Sequence, residues 1–302
     1  MAIDFLICNY NGGDLLRSAV QSILALELDE FNVYIYDNAS SDSSIKLIEE
    51  LNSNKIHIVH GETNIGYGKA INHIYKISKS QYIFILNPDS ELVFSGNELL
   101  QLASNTSDRN VYGFDIYNND NTPQNFITSE PSYSWVVGGL LRTSFPIIFE
   151  LLYKQYFFFH NKRQESEIEN NKGGRFVSGC ALLFTRNGFQ KLGLFNEQYF
   201  LYFEDTELLL TAWKNDFIIS QSPLKVIHNA SYSFRKADNK IKVEKYRSAL
   251  IYFRNNRGLV YYSWVKFLII FIAFLALINP LNIFYRKTSD YYINLIKISI
   301  NN

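Results

Sequence analysis

The first ninety or so residues alternate regularly between β-rich and helix-forming runs, and this alternation constrains the fold more than any other feature. Residues 2–8, 32–36, 56–60 and 82–86 are short apolar runs of the length expected for strands buried in a sheet. Between them, apolar side chains recur at helical spacing. Leu15, Leu16, Ala19, Val20, Ile23 and Leu24 follow an expected N-cap at Asp14. Ile45, Ile48 and Leu51 follow Asp42 or Ser43, and Ala70, Ile71, Ile74 and Ile77 mark a third helix. Strand–helix alternation at this pitch predicts βαβ units, hence an α/β fold with a mostly parallel sheet and right-handed crossovers.

In such a sheet the ligand site lies in the crevice beyond the carboxyl ends of the strands. Four small, polar, turn-forming clusters fall there: Asn9-Tyr10-Asn11-Gly12-Gly13, Asp37-Asn38-Ala39-Ser40-Ser41-Asp42, Asn64-Ile65-Gly66-Tyr67-Gly68-Lys69 and Asn87-Pro88-Asp89-Ser90. Each alone has an ordinary reading as a turn or a cap; the fold brings all four to one edge. A carboxylate at Asp37 suits the imide N–H of a uracil or thymine, and Tyr10 offers a stacking face. Pro88 stiffens the turn that holds Asp89. A hard cation bridging a diphosphate needs only one or two carboxylates, so Asp89 is a candidate ligand, with His228 at a later strand end as a nitrogen partner for Mg2+ or Mn2+. The glycine spacing matches neither a dinucleotide fingerprint nor a P-loop, which disfavours both classes.

A second signal lies between positions 199 and 208, where Glu204, Asp205 and Glu207 follow a run of four aromatics and a leucine. Aromatic walls make an unpartnered carboxylate costly, so such acids have a task. Taken alone, the stretch reads either as an acidic first turn complementing a helix dipole or as a site for a general base at Asp205. Residues 110–175 carry little periodicity. Residues 118–125 read as a loop, and 153–174 as an aromatic then polar insertion near the sheet's working edge. Strand signals return over 176–185, which contains Ser178-Gly179, and as two short strands ending at His228.

Charge divides the 302-residue chain. Residues 1–234 hold 17 basic and 26 acidic side chains, whereas 235–302 hold 12 basic and 3 acidic, so the two parts carry −9 and +9. A basic tail implies an anionic partner. It precedes and surrounds an apolar run, 259–278, interrupted by Ser263 and Lys266. The uninterrupted part is short for a membrane span and suits an interfacial, re-entrant or buried helix. Membrane-surface association is therefore expected, and no nucleic acid. Cys8 and Cys180 are the only cysteines, which suits a reducing cytosolic compartment. The N-terminal residues carry no positive segment or cleavage site, so no signal peptide is expected.

Together these positions resemble family 2 glycosyltransferases, which have a GT-A fold. The resemblance runs over about residues 3–235. It rests on Asn9-Tyr10-Asn11, Asp37-Asn38-x-Ser40-x-Asp42, Asn64-x-Gly66-Tyr67, Asn87-Pro88-Asp89, Ser178-Gly179, Phe195-Asn196-Glu197, Tyr202-Phe203-Glu204-Asp205 and Val226-Ile227-His228. The Asn-Pro-Asp and Phe-Glu-Asp forms look most like the rhamnosyltransferase-type branch of O-antigen and capsule synthesis. The resemblance implies that Asp205 is the catalytic base of an inverting transfer. Asn9, Tyr10, Asn11, Asp37, Asn64, Gly66, Asn87 and Asp89 would bind the donor, and Asp89 with His228 the metal. Glu204, Ser178 and Gly179 would lie near the acceptor. It further implies a dTDP- or UDP-sugar donor, a lipid-linked saccharide acceptor, and a peripheral position on the cytoplasmic face of the bacterial inner membrane. The corresponding division is a catalytic domain over 1–234, with halves 1–109 and 110–234, and a helical C-terminal region over 235–302. Asn87 stands where a full DxD motif has its first Asp, and Asn196 and Glu207 where Asp is usual. A sugar nucleotidyltransferase of similar fold would need a basic first loop that 9–13 lacks. A non-catalytic membrane scaffold would not need Asp89, Asp205 and His228 together.

Overall fold

The computed structural model describes residues 1–124, 130–153, 176–229, 239–279 and 286–301. The chain opens with β1 (Ile3–Asn9), α1 (Gly13–Leu24), β2 (Phe31–Asp37), α2 (Ser44–Glu49), β3 (Ile56–His60), α3 (Tyr67–Ile77), β4 (Tyr82–Leu86) and β5 (Ser90–Leu92). Next come α4 (Gly96–Ser104), β6 (Asn110–Tyr117), α5 (Tyr133–Ser144), β7 (Ala181–Thr185), α6 (Arg186–Lys191), α7 (Glu204–Lys214) and β8 (Ile218–His228). Three helices end it: α8 (Asn239–Asn256), α9 (Gly258–Ile278) and α10 (Arg286–Asn301). These elements form two compact units. The first comprises Met1–Thr128, Arg175–Phe200 and Glu204–Lys236; the second Ser129–Gly174, Leu201–Phe203 and Ala237–Asn302. Much of the polar insertion expected before Phe176, and the basic residues Arg235 and Lys236, lie outside the described residues.

The first unit is built on one eight-stranded sheet in the order β3-β2-β1-β4-β7-β6-β8-β5. The expected βαβ half is present: β3, β2, β1 and β4 run parallel, in register from Ile3 beside Phe31 to Asn9 beside Asp37. Every residue of β1 and β4 is buried, as strands covered on both faces require. Phe5 meets Phe84 at 5.3 Å and Phe84 meets Phe114 at 4.9 Å between ring centroids. Leu16, Ala19, Val20 and Ile23 of α1 close one face. Each Phe, Leu, Ile or Val side chain among them, buried whole, contributes roughly 1.5–3 kcal/mol.

Beyond β4 the sheet turns mixed. β7 runs antiparallel to both β4 and β6, and β5 antiparallel to β8. Three expectations are corrected here. The strand expected over 176–185 begins at Ala181, because residues 178–180 turn out of the sheet. The two short strands expected before His228 are one strand, β8, whose register against β6 slips between Ser222 and Lys225. Pro223 falls in that slip, where a missing N–H breaks no ladder bond. Finally, α1 starts one residue before Asp14, at Gly13, behind a Gly12 cap that makes no side-chain bond.

The second unit is helical. α9 packs along its length against α5, α8 and α10. Tyr133 and Tyr261, Trp135 and Phe203, and Phe203 and Tyr252 are in ring contact. Glu130 accepts from Tyr252 Oη at 2.8 Å and pairs with Arg257 at 2.9 Å.

Candidate active site

The polar clusters at the strand ends interlock inside the first unit. Asn9 ends β1 fully buried, and its amide nitrogen donates to Asp37 Oδ1 at 2.9 Å and to the hydroxyls of Ser40 and Ser44 at 3.0 Å each. Its amide oxygen accepts the Gly12 N–H at 3.1 Å. The Asn9 amide is thus occupied in fixing Asp37 and two loops. Asp37 is buried, and Ser40 donates to it from both N–H and hydroxyl. Asn11, in the left-handed region at φ 54°, braces the second loop: its side-chain oxygen accepts from the N–H groups of Ser41 and Asp42. Tyr10 between them is half exposed, an open ring face at the loop tip.

The next link is Asn38, a member of the second polar cluster to which the sequence assigned no role of its own. It donates to the Gly66 carbonyl at 3.4 Å and to Cys8 Sγ at 3.1 Å, and accepts from Ile65 N at 3.0 Å. Asn64 caps the same turn through Gly66 N at 3.0 Å. Gly66 sits at φ 91°, and a Cβ there would overlap the Phe200 carbonyl, so only glycine fits. That carbonyl also accepts the Tyr67 N–H at 2.8 Å, tying the start of α3 to the approach to α7.

The candidate acids follow. Asp89 is buried at the start of β5, which pairs with β8 so that Ser90 faces His228 in register. Asp89 Oδ1 and His228 Nε2 are 3.4 Å apart, an oxygen and a nitrogen donor side by side. Gln124 holds the His228 carbonyl at 2.8 Å and lies 3.4 Å from its Nδ1. Among the described residues no group of three or more His, Cys, Asp or Glu side chains converges. A cation held by this pair would take its other ligands from substrate oxygens and water, as Mg2+ and Mn2+ do.

Asn87 N donates to the Cys180 carbonyl at 2.8 Å, which brings the 178–180 turn against the 87–89 turn. On the other side of the same turn, a Cβ on Gly179 would overlap Asp205 Oδ2, and the Gly179 backbone donates to that carboxylate. Asp205 also accepts from Thr206 N at 2.7 Å and Thr206 Oγ1 at 3.2 Å. Burial nevertheless pushes its carboxyl above the usual range. Ser178 lies at the turn's start and accepts weakly from Cys180 N. Cys180 feels both acids: burial chiefly, then Asp89 and Asp205, push its thiol up to about 12. Gly179 and Cys180 are therefore the physical bridge between the Asp89 and Asp205 stations.

Beside Asp205, Glu204 is buried with its Oε2 bonded to no protein group. Burial first, and the Asp205 charge second, raise it to about 8. It thus enters neutral pH mostly protonated. Tyr67 Oη is a second orphan atom in this region. Burial holds it well above its ordinary range, with Cys8, Glu204 and Asp205 adding to the effect. The sequence placed Tyr67 in the Asn64-x-Gly66-Tyr67 element but gave its hydroxyl no role beside the two acids. The entry to α7 is unusual in its backbone: Tyr202 and Phe203 lie consecutively in the left-handed region, at φ 67° and 69°.

Known proteins resemble this chain in sequence and fold. The family described as Glycosyl transferase family 2 matches residues 4–193. Poly-beta-1,6-N-acetyl-D-glucosamine synthase of Staphylococcus epidermidis is 30% identical over 89 residues, covering 29% of this chain and 22% of the synthase. Glycosyltransferase GlyG of Streptococcus pneumoniae serotype 4 is 26% identical over 119 residues, 39% of this chain and 40% of that protein. The matches thus span less than half of either relative. Among solved structures, S. aureus TarS 1-349 in complex with UDP-GlcNAc superposes with a TM-score of 0.52 at 14% identity, covering 99% of this chain and 90% of that one. GalNAc-T7 with UDP, GalNAc and Mn2+ gives 0.55 at 14% identity, over 82% of this chain and 47% of that one. These likenesses establish a GT-A-like α/β fold. With the family match covering residues 4–193, most of the sheet, the chain belongs to glycosyl transferase family 2.

Proposed function

We propose that the chain transfers a sugar, with inversion, from a nucleoside-diphosphate donor to a lipid-linked saccharide at the cytoplasmic face of a bacterial membrane, in surface-polysaccharide synthesis. The observation that carries this reading is the 178–180 turn, which touches the Asp205 carboxylate on one side and the 87–89 turn on the other. A donor diphosphate at Asp89 and an acceptor hydroxyl at Asp205 would then share one cleft.

The donor is a UDP-sugar in preference to dTDP-rhamnose, since the TarS neighbour was solved with UDP-GlcNAc and the GalNAc-T7 neighbour with UDP. Asp37 receives the base imide, held in place by Asn9 and Ser40, with Tyr10 as the stacking face and Asn11 and Asn64 shaping the loops. Asn9 acts through Asp37. Asp89 and His228 would hold Mg2+ or Mn2+. When bound, such a cation neutralises the charge that builds on the departing diphosphate.

Asp205 takes the proton of the acceptor hydroxyl. Its raised basicity suits that task, because a general base works best with a pKa near the working pH. Thr206 and Gly179 fix its direction, and Glu204, mostly neutral beside it, adds little opposing charge. The basic C-terminal region and the apolar α9 helix support a membrane surface as the place where the acceptor is met.

A thermal-shift panel of UDP- and dTDP-sugars with Mg2+ or Mn2+ tests the donor assignment. Stabilisation by UDP-sugars that requires the metal is expected. Stabilisation by dTDP-rhamnose alone would return the chain to the rhamnosyltransferase branch.

A further inference from the structure

The α9 helix is apolar around its whole circumference apart from Ser263 and Lys266, yet only one face of it is covered. Tyr262, Val265, Ile269, Ile272, Ala273 and Ala276 are buried toward the helices it packs on. On the opposite face Val260, Trp264, Phe267, Phe271, Phe274 and Ile278 are all half to nearly fully exposed. At 3.6 residues per turn these six fall within an arc of about 80°, on the side away from the buried set. Trp264 stacks on Phe267 at 5.8 Å and Phe267 on Phe271 at 5.8 Å, making a continuous aromatic ridge. A ridge of this kind is an interaction surface, not a scatter of surface hydrophobics.

Its length would let α9 cross a bilayer, but its packing does not. The helices alongside carry exposed charge: Lys240, Arg247 and Arg254 on α8, Asp290 and Lys297 on α10. A spanning α9 would carry these neighbours to hydrocarbon depth, where each charge is costly. A helix lying flat needs no such immersion. The net charge of +9 on this region also draws it toward a negative surface. Lys240, Arg247 and Lys297 line a groove between α8 and α10 with Glu244 as its one acid, within the +9 region of the chain.

We infer that α9 lies in the plane of an anionic lipid surface, with the ridge from Val260 to Ile278 entering the acyl boundary while α5, α8 and α10 stay on the aqueous side. This rests on the membrane-surface reading above and on nothing about the donor.

Depth measurement tests it. Cys8 and Cys180 are both buried, so a nitroxide reagent would label a cysteine introduced at an exposed position of the full chain. Trp264→Cys and Phe274→Cys place labels about 15 Å apart along the axis, at positions whose exposure makes the folding risk small. On vesicles of phosphatidylcholine with phosphatidylglycerol, equal and shallow immersion depths are expected. Depths differing by the full 15 Å or so along the axis would mean a spanning helix and overturn the inference. No immersion, with a concentration-dependent dimer that Phe267→Glu dissociates, would assign the ridge to a second copy and overturn it also. Phe267→Glu is expected to weaken vesicle binding about 10-fold or more. Equal binding to pure phosphatidylcholine would remove the anionic part of the proposal. UDP binding to the same labelled proteins, followed by calorimetry with Mn2+, separates the two readings. Retained UDP binding without immersion sinks the docking alone. Immersion without UDP binding sinks the donor assignment alone.

Discussion

The acids at the β1–β2 end of the sheet and those at the start of α7 are held in opposite ways. Asp4 accepts four hydrogen bonds, from Lys79 N and Ser80 N at 2.8 Å, Ser80 Oγ at 2.7 Å and Asn32 Nδ2 at 3.0 Å. Asp37 accepts from Asn9 and twice from Ser40. Glu204, by contrast, leaves one oxygen bonded to no protein group, and Asp205 is raised despite its bonds. A carboxylate saturated with donors serves as architecture or as a binding acceptor. Where burial outweighs the donors, as at Asp205, or leaves an oxygen without one, as at Glu204, the carboxyl holds its proton more tightly and suits proton transfer. The same residue types thus divide into two trades according to what the fold supplies around them.

The largest expected effect breaks the comparison on the α7 side. Asp205→Asn keeps the shape of the side chain and removes the base, so transfer should fall by roughly 10²–10⁴-fold while UDP-sugar binding persists. Transfer at the wild-type rate would end the assignment. In the wild type the ionised form is required, so the rate should fall as pH drops through the raised pKa of Asp205.

On the saturated side, Asp4→Ala should cost stability instead of chemistry. It strands two backbone N–H groups and two side-chain donors, for a loss of about 2–4 kcal/mol in urea unfolding. The surviving folded fraction should show an unchanged turnover number; a turnover loss would place Asp4 in the reaction. Asp37→Asn replaces an acceptor with a mixed group facing the base. Donor KM should rise about 10-fold with little change in kcat, since a lost hydrogen bond to a charged group is worth roughly 1.5–3 kcal/mol. A drop confined to kcat would contradict a purely binding role.

The finest test is a dependence on pH, read in stability and not in turnover. Glu204 is held at about 8 in the fold against 4.5 in its ordinary state. Between those values the folded chain retains a proton that the unfolded chain has released. Stability therefore falls as pH rises through this window and levels off above about 8. Glu204→Gln should remove that slope, exceeding the wild type in alkaline buffer by on the order of a few kcal/mol at most and matching it in acid. Parallel stability curves for the two proteins would show that Glu204 ionises freely.

Much of this was readable before any coordinates, and the reason is physical. Parallel strands buried on both faces must be apolar throughout, so the polar residues that end them stand out; Asn9, Asp37 and Asp89 were found that way. Three things were hidden. The direction of β7 leaves no mark on its sequence, because Ala181–Thr185 is apolar on both faces whichever way it runs. β8 read as two strands because Pro223 interrupts it, although the ladder absorbs the proline in a register slip. The inward use of Asn9 and the orphan Tyr67 hydroxyl depend on contacts between segments far apart in the chain, which no local pattern encodes. Asp205 stood out as an acid among aromatics, but its seat against Gly179 did not.

The bend at Tyr202 and Phe203 has a consequence for how this site can evolve. Two aromatic residues held in a conformation that costs each of them energy act as a latch on the rotational setting of the helix that follows. One residue more or fewer in that bend would turn α7 by about 100° and present a neighbouring side chain, not Asp205, to the glycine turn. Inserting or deleting one residue there should therefore displace Asp205 from the glycine turn, where a point substitution should leave it in place.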